Sequence, residues 1–325
     1  MKSIVYVCPV INKPTGGIKL IYKQAEILSK FLPKGYECRI FHFNDVNFKC
    51  DWFTHNVLFK REKNYNPKNE FVIIPEWMAV YHAKILRDLK VRYGIYVLNG
   101  FYIFTRPSNE YTDQDIYNAY KSAEFILSCA DEISEGIKVT FPEFAKKIMR
   151  INLSVDSNKF YCDRKIFEKK SNLITYMPRK KKTTSDILTF LLNRHLPKNW
   201  TLKTLDNLSE TEVSNIFKKS KIFLSFSELE GLGLPPIEAA LCGNYVIGYT
   251  GEGGKEFWSK PIFDEVQAGD IRLFLKKIIS KVNLLEHSND NFENINFQIK
   301  SLSEKYSIEK EEKSIKLLSD LVNNF

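Results

Sequence analysis

No apolar run in the sequence approaches the roughly twenty residues that a membrane span needs, so a helix crossing a bilayer is not expected. The first residues, MKSIVYVCPVINKP, hold one lysine and a short apolar stretch broken by proline, which is not the pattern of a secretion leader. Cysteine is sparse. The six residues, at 8, 38, 50, 129, 162 and 242, form no C-x-x-C pair and no zinc-type spacing. Reduced thiols in a cytosolic protein follow, with Cys242 most simply a packing residue. Also missing are a long low-complexity tail, a full dinucleotide fingerprint, any metal-ligand cluster, and any repeat beyond two similar α/β halves. No resident metal or cofactor is therefore expected.

What is present describes an ordinary globular chain. Its 325 residues, 44% hydrophobic and 14% aromatic, can build two domains with proper cores. A formal net charge of +9 predicts an acidic partner, whether a nucleotide, an anionic membrane surface or nucleic acid.

Residues 3–7 read as a buried strand, residues 12–17 as a glycine-bearing loop, and residues 18–31 as a helix by apolar spacing. Gly16 and Gly17 thus stand at the carboxyl end of a strand, where ligands gather in parallel sheets. A plain βα turn explains them equally well. Strand candidates at 36–43, 71–74, 95–98 and 125–129 alternate with other segments, as in a parallel sheet wound with helices. Glu76 and Asn99 each follow one of these strands and are candidates for lining a ligand site, although strand ends also carry structural turns. His82 reads as a helix-surface or packed histidine rather than a base. Residues 49–68 interleave aromatic and basic side chains, suited either to an anionic membrane surface or to tucking the aromatics into the domain.

In the second half, residues 173–177 form a strand followed by Pro178 and four cations, Arg179, Lys180, Lys181 and Lys182, with a helix start at Thr184 or Ser185. Such a run is a solvated surface or, at the end of a strand, a diphosphate clamp. Residues 200–205 make another strand. A turn at 205–208 contains Asn207, and Ser209 with Glu212 makes a capping box. The most informative stretch is 221–256. It predicts strand 222–226, a polar loop, a helix opened by Pro235 and Pro236 and ended by Gly243, and strand 245–249. Glu230 and Glu238 frame the loop, Glu238 in the first helical turn. The N–H groups around Gly231, Gly233 and Leu234 are left for a ligand. Paired carboxylates accept hydrogen bonds from vicinal hydroxyls; taken singly, each glutamate is equally a solvated or dipole-complementing residue. Residues 251–256 read as a flexible glycine loop at the same end of the sheet. Asp270 and Ser307 cap two last helices, the second with an apolar stripe at 308, 315, 317, 318 and 321.

The string EGLGLPPIEAALCGNYVI (230–247) resembles the EGFGLPPLEAMACGxPVI signature of GT-B nucleotide-sugar glycosyltransferases, in particular glycosyltransferase family 4, with the E-x7-E pair on Glu230 and Glu238. That resemblance implies an α/β GT-B fold: two Rossmann-like parallel-sheet domains, 1–156 on the acceptor side and 157–300 binding the donor, facing a cleft. Residues 301–325 would return as a helix to the first domain. Glu238 would hold the nucleotide ribose, and Glu230 with the amides of Gly231, Gly233 and Leu234 would face the donor sugar. Arg179 would hold the diphosphate together with a lysine, one of Lys180, Lys181 and Lys182; Arg179, Lys182 and Glu230 would be catalytic, Lys180 would bind the donor, and Glu76 and Asn99 would line the acceptor side. Asn207 would lie near the base and Gly17 near the donor phosphates. The implied reaction is metal-independent, retaining transfer of a sugar from a nucleotide-diphosphate sugar to a glycan or lipid-linked glycan. The implied setting is bacterial surface polysaccharide synthesis, in the cytoplasm or at the inner membrane face, and no nucleic acid is expected as a partner. A silent GT-B-like binding module and a sugar-nucleotide epimerase are the alternatives.

Overall fold

The structure, a computed structural model, describes residues 1–105, 108–178, 181–287 and 291–323. The backbone forms two compact units, Met1–Asn152 with Glu311–Phe325, and Leu153–Lys310.

The first unit runs through β1 (Lys2–Val7), α1 (Gly16–Phe31), β2 (Tyr36–Phe41), β3 (Leu58–Phe59), β4 (Glu70–Pro75), α2 (Ala79–Asp88), β5 (Arg92–Val97), α3 (Asp113–Ser122), β6 (Ile126–Ser128), α4 (Asp131–Thr140) and β7 (Ile148–Arg150). Seven parallel strands pair in the order β3-β2-β1-β4-β5-β6-β7. Ile4 to Val7 and Phe71 to Ile74 are almost wholly buried. Parallel strands covered on both faces carry unbroken apolar runs of this kind, which is why they were legible. β3 and β7 were not. They are edge strands of two and three residues, formed by pairing with β2 and β6 rather than by their own pattern.

The aromatic and basic segment at 49–68 turns its rings inward. Phe53 and His55 pack on Tyr22 at ring-centroid distances of 5.3 and 4.8 Å, and Lys60 is buried against Glu70 at 2.6 Å. Of the two readings, tucking fits this geometry. His82 is buried between Phe43 and Tyr81, and desolvation pushes its pKa down to about 4, as for a packed histidine.

The second unit contains α5 (Arg164–Glu168), β8 (Ser171–Tyr176), α6 (Lys182–His195), β9 (Thr201–Thr204), α7 (Glu210–Phe217), β10 (Ser220–Ser225), α8 (Leu234–Leu241), β11 (Tyr245–Gly248), β12 (Phe263–Glu265), α9 (Ile271–His287) and α10 (Glu293–Lys305). Its five parallel strands pair as β12-β11-β10-β8-β9, with β10 in the middle. Ser209 and Glu212 cap α7 reciprocally, and Asp270 accepts the Leu273 N–H at 2.9 Å. α6 starts earlier than Thr184, with Lys181 as its N-cap. The last helix, α11 (Ile308–Val322), belongs to the first unit from Glu311 onward. Its stripe divides, because Ile315 and Leu318 are buried whereas Ile308, Leu317 and Leu321 face outward.

Candidate functional site

Because all five strands of the second unit run parallel, the loops after β8, β9, β10 and β11 emerge at one edge of the sheet, the carboxyl edge favoured by ligands. The loop after β10 holds Glu230. Its N–H donates to the Gly251 carbonyl at 2.8 Å, and Glu230 and Glu252 form an isolated parallel bridge, so the loops after β10 and β11 are clamped together. Glycine is required at the clamp. A Cβ on Gly253 would lie 1.3 Å from the Gly231 carbonyl oxygen. Gly251 adopts φ +70° with the Glu230 side chain against it.

Glu252, between those glycines, has φ 64° and ψ −63°, and the Gly253 N–H donates to the Gly251 carbonyl at 2.8 Å. This is the strained, positive-φ γ-turn, a conformation that costs a non-glycine residue on the order of 1–3 kcal/mol. Farther along, Glu256 accepts from the Tyr306 hydroxyl at 2.9 Å and pairs with Lys305 at 3.3 Å. The 251–256 segment is therefore not the flexible loop expected from its glycines. It is tied to the β10 loop at one end and to α10 at the other.

Gly233, at φ 78° and ψ 75°, is the N-cap of α8 and turns the chain into Leu234, Pro235 and Pro236. The N–H groups of Gly231, Gly233 and Leu234 have no acceptor among the described residues, so the loop offers donors beside the half-buried Glu230. Glu238 does not lie in the first helical turn. It is the fifth residue of α8 and opens the second turn, because the helix begins at Leu234.

The cation run resolves unequally. Arg179 and Lys180 lie outside the described residues. Lys181 is ion-paired with Glu228, two residues before Glu230. Lys182 instead pairs with Asp186 on its own helix at 2.7 Å and its side chain is 78% exposed. Sequence order alone could not separate these neighbours, since a helix start turns successive side chains about 100° apart. Lys181, not Lys182, reaches the β10 loop. Asn207 follows β9 with φ 53°, exposed, its side chain on Asp206. The Leu205 N–H donates to the Tyr176 carbonyl at 2.8 Å, extending the β8–β9 ladder to the start of that turn.

In the first unit Gly17 is the second residue of α1, the helix that follows β1 along the chain. Glu76 and Asn99 come together. The Glu76 carboxylate accepts the Leu98 N–H at 3.2 Å and the Asn99 N–H at 3.0 Å, while the Asn99 side chain accepts the Phe101 N–H at 3.0 Å. Glu76 is only 2% exposed, and burial raises its pKa to about 7 against the opposing pull of those amides. A carboxylate so enclosed braces the backbone rather than lining a site.

This architecture is the GT-B fold, and solved structures share it. Over 99% of both chains it is similar to sucrose-phosphate synthase from Thermosynechococcus elongatus, with a TM-score of 0.70 and 11% identity. Anabaena HepE in complex with UDP-glucose matches with a TM-score of 0.70 and 12% identity, over 98% of this chain and all of the other. The lipopolysaccharide outer core galactosyltransferase WaaB matches with a TM-score of 0.62 and 14% identity, over 98% and 99%. Among curated proteins, an alpha-1,6-glucosyltransferase of Actinobacillus pleuropneumoniae serotype 7 (strain AP76) is 27% identical over 117 residues, 34% of this chain and 35% of that protein. The match thus spans about a third of that relative's length. No family model matches the chain.

Proposed function

We propose that this chain is a glycosyltransferase that moves a sugar from a nucleotide-diphosphate sugar to an acceptor hydroxyl. The observation that carries this reading is the clamped pair of loops at the carboxyl ends of β10 and β11, which sets Glu230 beside unengaged backbone donors at the start of α8. Such a place suits a polyhydroxylated, anionic ligand. Glu230 and Glu238 bind hydroxyls of the sugar and the ribose, and the amides of Gly231, Gly233 and Leu234 take the remaining oxygens.

When the anomeric bond breaks, negative charge grows on the departing diphosphate. Arg179 and Lys181 neutralise that charge and favour the transition state over the ground state. Loss of one such donor lowers a rate by about a hundredfold or more. Retention of anomeric configuration and independence of metal accord with the family that the signature resembles. We take the acceptor to be a glycan or lipid-linked glycan of a bacterial surface polysaccharide, glycosylated in the cytoplasm or at the inner membrane face. No described helix is long and apolar enough to cross a membrane.

UDP-glucose, the ligand named for the Anabaena structure, is the first donor to test. Calorimetry with UDP is expected to show binding that weakens at least tenfold in Glu238→Ala and in Arg179→Ala. Donor hydrolysis across a panel of nucleotide sugars then identifies the sugar. A chain that ignores UDP, ADP and GDP alike, or that isomerises the donor with no acceptor present, is not the transferase described.

A further inference from the structure

The carboxyl rim of the first unit carries a feature that the donor site does not use. After β4 the chain makes a 3-10 turn at Glu76–Met78, after β5 another at Gly100–Tyr102, and the two turns lie side by side. Their apolar side chains are sorted by kind. Met78 and Ile103 are buried, whereas Trp77, Phe101, Tyr102 and Phe104 remain 38–56% exposed. Exposed aromatic faces grouped on two adjoining turns mark a binding surface. Aliphatic side chains going in while aromatic ones stay out narrows the occupant. A flat ring stacks on the C–H face of a pyranose, whose hydroxyls stay at the edge for polar groups.

A bilayer-docking face would pair such aromatics with lysine or arginine. Residues 76–78 and 99–105 contain neither, and the next cation along the chain, Arg106, lies outside the described residues. The turns are also fastened to each other. Glu76, at the head of the first, takes the N–H of Leu98 and of Asn99 on its two carboxylate oxygens, and Asn99 in turn caps Phe101. One buried side chain therefore fixes where Phe101 and Tyr102 stand relative to Trp77.

We infer that this pair of turns is the platform on which the acceptor's sugar ring stacks, and that Glu76 is its positioning residue, holding the second turn against the first. The inference rests on the sugar-transfer reading and adds the acceptor's recognition chemistry to it.

Saturation-transfer NMR on the full chain, with the methyl glycosides of glucose, galactose, mannose and N-acetylglucosamine as probes, tests it. At least one glycoside is expected to receive saturation on its ring C–H protons. Trp77→Ala and Phe101→Ala are expected to weaken that glycoside at least tenfold. Glu76→Gln keeps the side-chain shape but offers one acceptor oxygen in place of two, and is expected to weaken it about fivefold. With the same glycoside as acceptor, Glu76→Gln should raise the acceptor KM and leave the donor KM unchanged, a split that general loosening of the fold would not produce. UDP affinity, within twofold of the unsubstituted chain in every variant, reports that the second unit is intact.

The inference is overturned if no glycoside is saturated, if Trp77→Ala and Phe101→Ala bind as well as the original chain, or if phosphatidylglycerol vesicles rather than glycosides are lost on Trp77→Ala. Failure to bind UDP would sink the transfer reading. Failure with glycosides alone would sink only the platform.

Discussion

Glu230 and Gly251, twenty-one positions apart, are joined by a backbone hydrogen bond of 2.8 Å, and that bond locks the two loops that carry the candidate donor site. Around it the backbones pack so closely that a side chain at Gly253 would coincide with the Gly231 carbonyl.

Gly253→Ala should therefore separate the loops. Overpacking of this kind typically costs about 1–3 kcal/mol. A thermal melt is expected to show the loss, and UDP calorimetry an affinity lowered at least tenfold, since the amides of Gly231 and Gly233 move with the loop. An unchanged UDP affinity would show that the clamp does not organise the site.

Glu252 stands in a γ-turn that glycine adopts without strain. Glu252→Gly relieves on the order of 1–3 kcal/mol of strain and gives back about 0.5–1 kcal/mol in unfolded-state entropy. The net expectation is a variant more stable by about 1 kcal/mol, whereas Glu252→Val should be destabilised. Denaturant midpoints for the two decide it.

The two adjacent lysines should behave differently. Lys181 pairs with Glu228 on the β10 loop and Lys182 with Asp186 on its own helix. Lys181→Ala is expected to weaken UDP binding about tenfold, roughly 1.4 kcal/mol, and Lys182→Ala less than twofold. The reverse order would move the diphosphate to the other side of the helix start.

Glu76 makes stability depend on pH. Its folded pKa is raised to about 7 by burial, above an unfolded value near 4.5. The native state therefore holds a proton that the unfolded state has released. The resulting stability is fully present below the unfolded pKa and is lost as pH rises through about 7, by on the order of 3 kcal/mol in all. Urea melts at pH 5 and pH 8 should show a larger fall for the unsubstituted chain than for Glu76→Gln, whose side chain does not titrate. Equal falls would mean that Glu76 ionises as it does in water.

Much of the fold was legible along the chain because it depends on neighbours in sequence. Apolar runs at 3–7 and 71–74, the capping box at Ser209 and Glu212, and the Gly233-Leu234-Pro235-Pro236 helix entry are local, and each formed where its residues stood. The same string put Glu238 one turn too early, because the helix starts at Leu234, before the prolines that signal it. Other features arise only when distant segments meet. Edge strands β3 and β7 are made by their partners. Nothing near Glu76 announces that the amides of Leu98 and Asn99 will enclose it, and nothing near Glu252 announces a γ-turn forced by a loop twenty residues upstream. Periodicity and capping are short-range chemistry that a sequence carries openly. Which backbone amide finds which carbonyl across a sheet edge is decided by tertiary packing, and here that packing sets the shape of the candidate site.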